Sequence, residues 1–261
     1  MLPIQSFFSS QPIKAILTDI DDTLTTDGKL LADTYQALER LRRSGLLVVP
    51  VTGRPAGWCD HIARLWPVDA IVGENGAFYF RYLENERKFI KRYLHDDATR
   101  RENRHRLDSL QKEILRQVPG SALASDQAYR EADLAIDYRE DIEPLSPLAI
   151  ERIVALFEEA GATAKISSIH VNGWFGIYDK LTMTRTLFRE CFNLDLDSNN
   201  GEILFIGDSP NDAPMFSFFQ NSVGVANVND FETLAANPKF VTDTRGGSGF
   251  AEMTNIILRN L

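Results

Sequence analysis

A chain of 261 residues with 44% hydrophobic and 25% charged side chains can bury one large core or two moderate ones, which excludes the disordered and low-complexity classes. A formal net charge of -9 repels phosphate backbones, so no nucleic-acid partner is expected. Only Cys59 and Cys191 are present, without paired spacing; this suits buried thiols in a reducing compartment and argues against a disulfide scaffold or a zinc site.

In chain order, residues 1–11 show no basic leader and no sustained apolar stretch, and no later run approaches the ~18 apolar residues that span a bilayer. A cytoplasmic protein with no membrane partner is expected. Short apolar runs then end abruptly in small or polar residues and are followed by amphipathic segments, the alternation of a parallel α/β sheet. Ile13 to Leu17 predicts a first strand, closing at Thr18-Asp19. Tyr35, Leu38 and Leu41 recur at helical spacing, with Gly45 as a left-handed stop. Leu46 to Val51 predicts a second strand, ended by Thr52-Gly53-Arg54, with Pro55 as the first residue of a helix. Ala70 to Val72 predicts a third strand. Ile203 to Ile206 predicts a fourth, ending at Gly207-Asp208 and followed by a helix with Met215, Phe218 and Phe219. Val223 to Ala226 and Lys239 to Thr242 read as further strands, and Phe250 to Leu258 as a terminal helix.

Residues 85–174 break this rhythm. A long polar helix over Asp97 to Gln117, a strand over Leu134 to Tyr138 and a helix over Pro147 to Ala160 predict an inserted second domain. Within Arg81 to Arg116, 11 Lys/Arg stand against 7 Asp/Glu, which reads as a solvated helical face in preference to an anion-attracting lid. Residues 169–175 read as a hairpin, because Asn172-Gly173 is the preferred type I′ turn; a return linker from the insert is the competing reading.

In a doubly wound sheet, ligands bind beyond the carboxyl ends of the strands. Three separate strands deliver Asp19, Thr52 and Asp208 there. In Asp19-Ile20-Asp21-Asp22-Thr23, extended backbone points Asp19 and Asp21 the same way. Such a pair can divide labour: one carboxylate attacks phosphorus while the other, protonated, serves the leaving oxygen. A bare D-x-D is weak, since Asp195-Leu196-Asp197 has the same spacing in what reads as a solvated loop. Gly207-Asp208-Ser209-Pro210-Asn211-Asp212 adds two carboxylates and an amide at a helix start, where simple capping is the competing reading. An all-oxygen donor set from separate loops suits Mg²⁺ better than zinc. Thr52, Gly53 and Arg54 place a hydroxyl, a close-approach glycine and a cation where an anion would sit. Lys180 could balance an incoming phosphate. Cys59 and His61, two apart on a helix, face different directions and form no thiol dyad.

Taken together, Asp19-x-Asp21-x-Thr23, Thr52, Lys180 and Gly207-Asp208-Ser209-x-Asn211-Asp212 resemble the haloacid dehalogenase superfamily. The run Gly73-Glu74-Asn75-Gly76-Ala77 after the third strand is similar to its subclass IIB, with its Cof-type and sucrose-, trehalose- and mannosyl-phosphate phosphatases. The resemblance implies a Rossmann-like, doubly wound parallel α/β core over 1–84 and 175–261, with an inserted smaller α/β cap over 85–174 that sets substrate specificity. It implies Asp19 as nucleophile and Asp21 as general acid/base. Mg²⁺ would be held by Asp19, the Asp21 carbonyl and Asp208, with Asn211 and Asp212 in support of metal and lysine. Thr52, with Gly53, and Lys180 would hold the phosphoryl oxygens. Arg54 and Asn75, and less strongly His170 and Trp174, are candidates for leaving-group contacts, although Trp174 reads better as core. Asp22 departs from the family, standing where many relatives have glycine. The function expected is Mg²⁺-dependent hydrolysis of a small phosphorylated metabolite, a sugar phosphate, by a monomer or homodimer. A phosphomutase of the phosphomannomutase type and a non-catalytic sugar-phosphate sensor are the alternatives.

Overall fold

The computed structural model describes residues 1–167, 169–231 and 233–260. The first part of the chain forms strands β1 (Leu2–Pro3) and β2 (Ala15–Thr18), a small hairpin of β3 (Thr25–Thr26) and β4 (Lys29–Leu30), helix α1 (Ala32–Arg43), strand β5 (Leu47–Pro50), helix α2 (Ala56–Leu65), and strands β6 (Ile71–Gly73), β7 (Phe78–Leu83) and β8 (Lys88–Tyr93). Then come α3 (Asp97–Gln117), β9 (Ala122–Leu123), β10 (Leu134–Asp137), α4 (Pro147–Glu159), β11 (Thr163–Ile166) and β12 (His170–Trp174). The chain closes with α5 (Lys180–Leu187), β13 (Ile203–Gly207), α6 (Ala213–Phe218), β14 (Asn221–Gly224), β15 (Phe240–Val241) and α7 (Gly246–Arg259).

Six strands form a wholly parallel sheet in the order β1-β15-β14-β13-β2-β5. Ile16, Val48 and Leu204 face α1, α2 and α7, whereas Ala15, Leu17, Val49 and Phe205 face α5 and α6. Burial on both faces is why these strands read as unbroken apolar runs. This is the expected Rossmann-like, doubly wound core. Pro55 sits one residue earlier than expected, at the N-cap of α2, where its lack of an N–H costs nothing.

The sheet extends beyond β5. A parallel bridge joins Val51 to Val72, and Thr52 N donates to the Val72 carbonyl at 2.9 Å, attaching β6 and, through antiparallel pairing, β7 and β8. Phe78 and Phe80 are buried in the cluster that α2 covers, with Phe89, Tyr93 and Leu94 beside them. The expected boundary between residues 84 and 85 therefore falls in the turn of this hairpin.

The smaller insertion is an antiparallel sheet, ordered β11-β12-β10-β9. Leu107, Leu110 and Ile114 of α3 and Ile153, Leu156 and Phe157 of α4 pack against Leu134, Ile136 and Val171 on one face. Residues 169–175 form neither the expected hairpin about Asn172-Gly173 nor a return linker. Asn172 and Gly173 lie in the middle of β12, paired with Ala135 and Leu134 on one side and with Lys165 and Ala164 on the other. A Cβ on Gly173 would come within 2.1 Å of the Phe157 ring, so this glycine serves helix packing and not a turn.

Core and insertion are joined through Glu74. Its backbone and that of Asn75 lie in the left-handed region, at φ 42° and 55°, a strained pair for residues with a Cβ. The strain aims a fully buried carboxylate at the insertion. Oε1 accepts from Ala56 N (2.9 Å) and Glu131 N (2.8 Å), and Oε2 from Ala132 N (2.6 Å) and Asp133 N (3.1 Å). Arg130 donates to the Gly53 carbonyl at 3.0 Å and to Asp126 and Asp133, tying the same segment to the loop after β5. Replacing Glu74 by Ala removes the acceptor of four N–H donors, two of them on the buried residues Ala56 and Asp133, so the Glu74→Ala variant is expected to lose about 3–5 kcal/mol of stability, measured by urea unfolding. A loss below about 1 kcal/mol would refute this role for the junction.

Candidate active site

Sheet register brings the three loop groups level. Asp19 N donates to the Ile206 carbonyl at 3.0 Å and Val51 N to the Thr18 carbonyl at 2.8 Å, so Asp19, Thr52 and Asp208 leave the sheet along one edge. The turn after Asp19 is closed by the N–H groups of Thr23, Leu24 and Thr25 on the Ile20 carbonyl. Asp22, in the glycine position, adopts φ 57°, which a short polar side chain tolerates better than most.

Lys180, buried at the start of α5, donates at 2.9 Å both to Asp19 Oδ1 and to Asp212 Oδ1. Gly76 allows this placement, because a Cβ there would meet the Asp179 carbonyl at 2.0 Å. The other Asp212 oxygen accepts from Asp208 N at 3.1 Å, and Thr23 Oγ1 donates to Asp208 Oδ1 at 3.1 Å. Asp19, Asp208 and Asp212 are all buried, and each offers a carboxylate oxygen within 4.8 Å of the others. This donor set contains only hard oxygens, which fits a cation such as Mg²⁺ and lacks the sulfur or imidazole that zinc favours.

The electrostatics point the same way. Burial, partly offset by Lys180 and reinforced by Asp212, pushes Asp19 up to about 7, and burial with Asp212 and Asp19 raises Asp208 well above the carboxylate range. Burial alone would neutralise Lys180, but the charges of Asp19 and Asp212 outweigh it and hold its pKa above the ordinary lysine value. Three carboxylates against one ammonium leave the cluster short of positive charge.

Of the residues singled out by sequence, Asp19, Asp21, Gly53, Arg54, Asn75, Asp208 and Asn211 line one cavity between core and insertion. Lys180 and Asp212 stand behind it, and the Thr52 hydroxyl is turned to accept from Arg54 N at 3.1 Å. Arg54 is engaged with Asp21: Nε lies 3.0 Å from each carboxylate oxygen and a terminal nitrogen 2.6 Å from Oδ1. Asn75 packs its amide against Gly53. Trp174 is buried and stacked on Tyr178 at 5.4 Å, a core role. His170 lines the cavity, together with Arg130, Lys165 and Asn172, which the sequence reading passed over. For Asn172 the signal was the period-two alternation of His170 to Trp174, obscured by reading Asn172-Gly173 as a turn.

None of the cations between residues 81 and 116 lines the cavity, in keeping with a solvated face. Asp195 caps Ser198 N and Asp197 pairs with exposed Arg185, an ordinary loop as expected. Cys59 is buried and His61 exposed, so they form no dyad, whereas Cys191 is only half-buried.

Residues 16–112 and 190–253 match the sequence profile of haloacid dehalogenase-like hydrolases. The chain belongs to the haloacid dehalogenase-like hydrolases. Within that family it is an enzyme of the phosphatase type. It is 30% identical over 243 residues to a phosphoglycolate phosphatase of Haloarcula marismortui, covering 91% of this chain and 94% of that protein. The fold matches a crystal structure from Thermoplasma acidophilum with a TM-score of 0.73 at 20% identity, covering 95% of this chain and 99% of that one. It also matches the sucrose-phosphatase of Synechocystis sp. PCC6803, with a TM-score of 0.63 at 15% identity, covering 95% and 98%. No helix among the described residues is long and apolar enough to cross a membrane.

A carboxylate whose folded pKa exceeds its unfolded value binds protons more tightly in the native state. Stability therefore falls as pH rises across the gap, here between 3.8 and about 7 for Asp19. Chelator-treated protein is expected to melt at lower temperature near neutral pH than at about pH 5, and millimolar Mg²⁺ is expected to restore about 5–10 °C near neutrality and less at pH 5. Differential scanning fluorimetry checks both; no shift with Mg²⁺ near neutrality would count against a cation in this cluster.

Proposed function

We propose that this phosphatase hydrolyses a small phosphorylated metabolite with Mg²⁺, through an aspartyl-phosphate on Asp19. The observation that carries the reading is the Lys180 ammonium 2.9 Å from both Asp19 and Asp212, with Asp208 completing a buried all-oxygen cluster. We place the chemistry on the doubly wound core and substrate selection on the insertion after β8.

An Asp19 oxygen attacks phosphorus in line, forming the Asp19–phosphorus bond as the bond to the substrate oxygen breaks. Asp21 gives the departing oxygen a proton, then takes one from the water that attacks the aspartyl-phosphate and releases inorganic phosphate. Arg54 donates to both Asp21 oxygens, which leaves Asp21 placed as a proton acceptor, the role of the second half-reaction. The acid role in the first half requires Arg54 to let go of one oxygen when substrate is bound. Lys180 fixes the orientation of Asp19 and keeps a positive charge beside the nucleophile. Asp19, Asp208 and Asp212 would hold the Mg²⁺, which when bound lowers the repulsion between an anionic nucleophile and an anionic phosphate. Gly53 and Asn211, at the cavity wall, are the candidates to receive phosphoryl oxygens, with Thr52 supporting the loop.

For the substrate, the Haloarcula marismortui phosphoglycolate phosphatase is related along nearly the whole chain, whereas the sucrose-phosphatase shares the fold alone. A small phosphorylated acid thus has more support than the sugar phosphate expected from sequence.

The Asp19→Asn variant is expected to fold normally and to lose at least about 10³-fold in release of phosphate from p-nitrophenyl phosphate. Excess chelator is expected to stop the wild-type reaction, with Ca²⁺ unable to replace Mg²⁺ because it relaxes the coordination geometry. Near-normal turnover by Asp19→Asn, or full activity in chelator, would sink the mechanism.

A further inference from the structure

We infer that Lys165 receives a carboxylate on the leaving group, so that the enzyme selects small phosphorylated acids over neutral phosphoesters; this rests on the phosphatase reading above. Lys165 lies on β11 opposite Asn172 of β12, and cross-strand partners point to the same face of a sheet. Both residues line the cavity that contains Asp19 and Asp21. Lys165 is exposed at its mouth, so the ammonium stays hydrated until a ligand arrives.

The other basic groups of the cavity are already committed. Arg54 is clamped on Asp21, and the buried Arg130 bridges Asp126 and Asp133. Burial, with the nearby charge of Arg130, lowers the His170 pKa to about 4, which leaves its ring uncharged near neutrality; its Nε2 lies 2.8 Å from Glu140 but off hydrogen-bonding alignment. Among the described residues, Lys165 is the one basic side chain lining the cavity with no carboxylate within 4.0 Å.

Two neutral side chains on the insertion side are already engaged, whereas the His170 ring keeps an unpartnered Nε2. Asn172 Nδ2 donates to Asp133 Oδ2 at 3.1 Å, and Ser167 Oγ donates to the His170 carbonyl at 3.0 Å. A polyhydroxylated leaving group would find few open partners there, whereas an anion would find one unpaired charge. With Asp19, Asp21 and Asp208 on the facing wall, a substrate carboxylate needs a cation on the insertion side to be tolerated at all.

The test compares phosphate release from phosphoglycolate with that from 2-hydroxyethyl phosphate, in which a neutral hydroxymethyl group replaces the carboxylate. Wild-type enzyme is expected to favour the acid in kcat/KM. Lys165→Met should lower kcat/KM for the acid about 10- to 100-fold, chiefly through KM, and leave the neutral ester within about twofold; Lys165→Arg should recover part of the loss. Equal efficiency of wild-type enzyme on both esters, or an equal loss on both in Lys165→Met, would overturn the assignment while leaving the phosphatase reading intact. Failure of wild-type enzyme to release phosphate from either ester or from p-nitrophenyl phosphate would overturn both.

Discussion

One ammonium among three buried carboxylates is the constraint on which the carboxyl edge of this sheet depends. Lys180 touches Asp19 and Asp212 at equal distance, and Asp212 in turn holds the backbone of Asp208, so segments from β2, β13 and α5 meet at one charge. Removing any carboxylate would leave Lys180 less well compensated; removing Lys180 would leave buried anions unpaired, the costlier error in a low-dielectric site. The cluster nevertheless remains short of positive charge, which is a cost to the fold and an attraction for a divalent cation. Two glycines make the approach possible: a Cβ on Gly207 would come within 2.4 Å of Asp212 Oδ2, and one on Gly76 would push the start of α5 away.

A second buried network links that edge to the insertion. Glu74 leaves the end of β6 in a strained backbone conformation and binds three consecutive N–H groups of residues 131–133, while Arg130 binds the carbonyl of Gly53. Gly53 precedes Arg54, and Arg54 holds Asp21. The position of the insertion and the availability of Asp21 are therefore joined by a short chain of hydrogen bonds. Burial, with the charge of Asp133, pushes Glu74 up to about 7, so the junction spends stability on a carboxylate that an apolar contact would not require. Such a cost is understandable where the contact must also fix direction.

The core was legible because its physics is local. Strands buried on both faces must be apolar throughout, and a polar group after each one stands out, as Asp19, Thr52 and Asp208 did. The Asp195 pair could be set aside because no apolar run precedes it. The insertion was harder to read. Its sheet is covered on one face only, so its strands are short and mixed, and β12 carries Asn172-Gly173, whose turn preference is overridden by the Phe157 ring pressing on Gly173. The β7 and β8 hairpin was missed because its attachment rests on one bridge, Val51 to Val72, that no local pattern encodes. Glu74, Arg130 and Asp133 are ordinary charges in sequence; only the fold turns them inward.

The same alternation that hid β12 explains how one small sheet serves two purposes. Val171 and Gly173 face α4 and hold the insertion together, while His170 and Asn172, one residue out of phase, face the nucleophile across the cavity. A one-residue slip of β12 would exchange the two sets and put Val171 over Asp19. Register is protected by packing, since Gly173 alone fits beneath Phe157. The stability of the insertion and the chemistry of its inner face are thus set by a single register. Ser167, Ile169, Asp208 and Ser209 border both the cavity and a larger groove of about 800 Å³ that opens beside the loop after β2. That groove lies away from Glu74 and its partners, so solvent reaches the edge of the site without separating the junction that aligns Arg54 and Asp21.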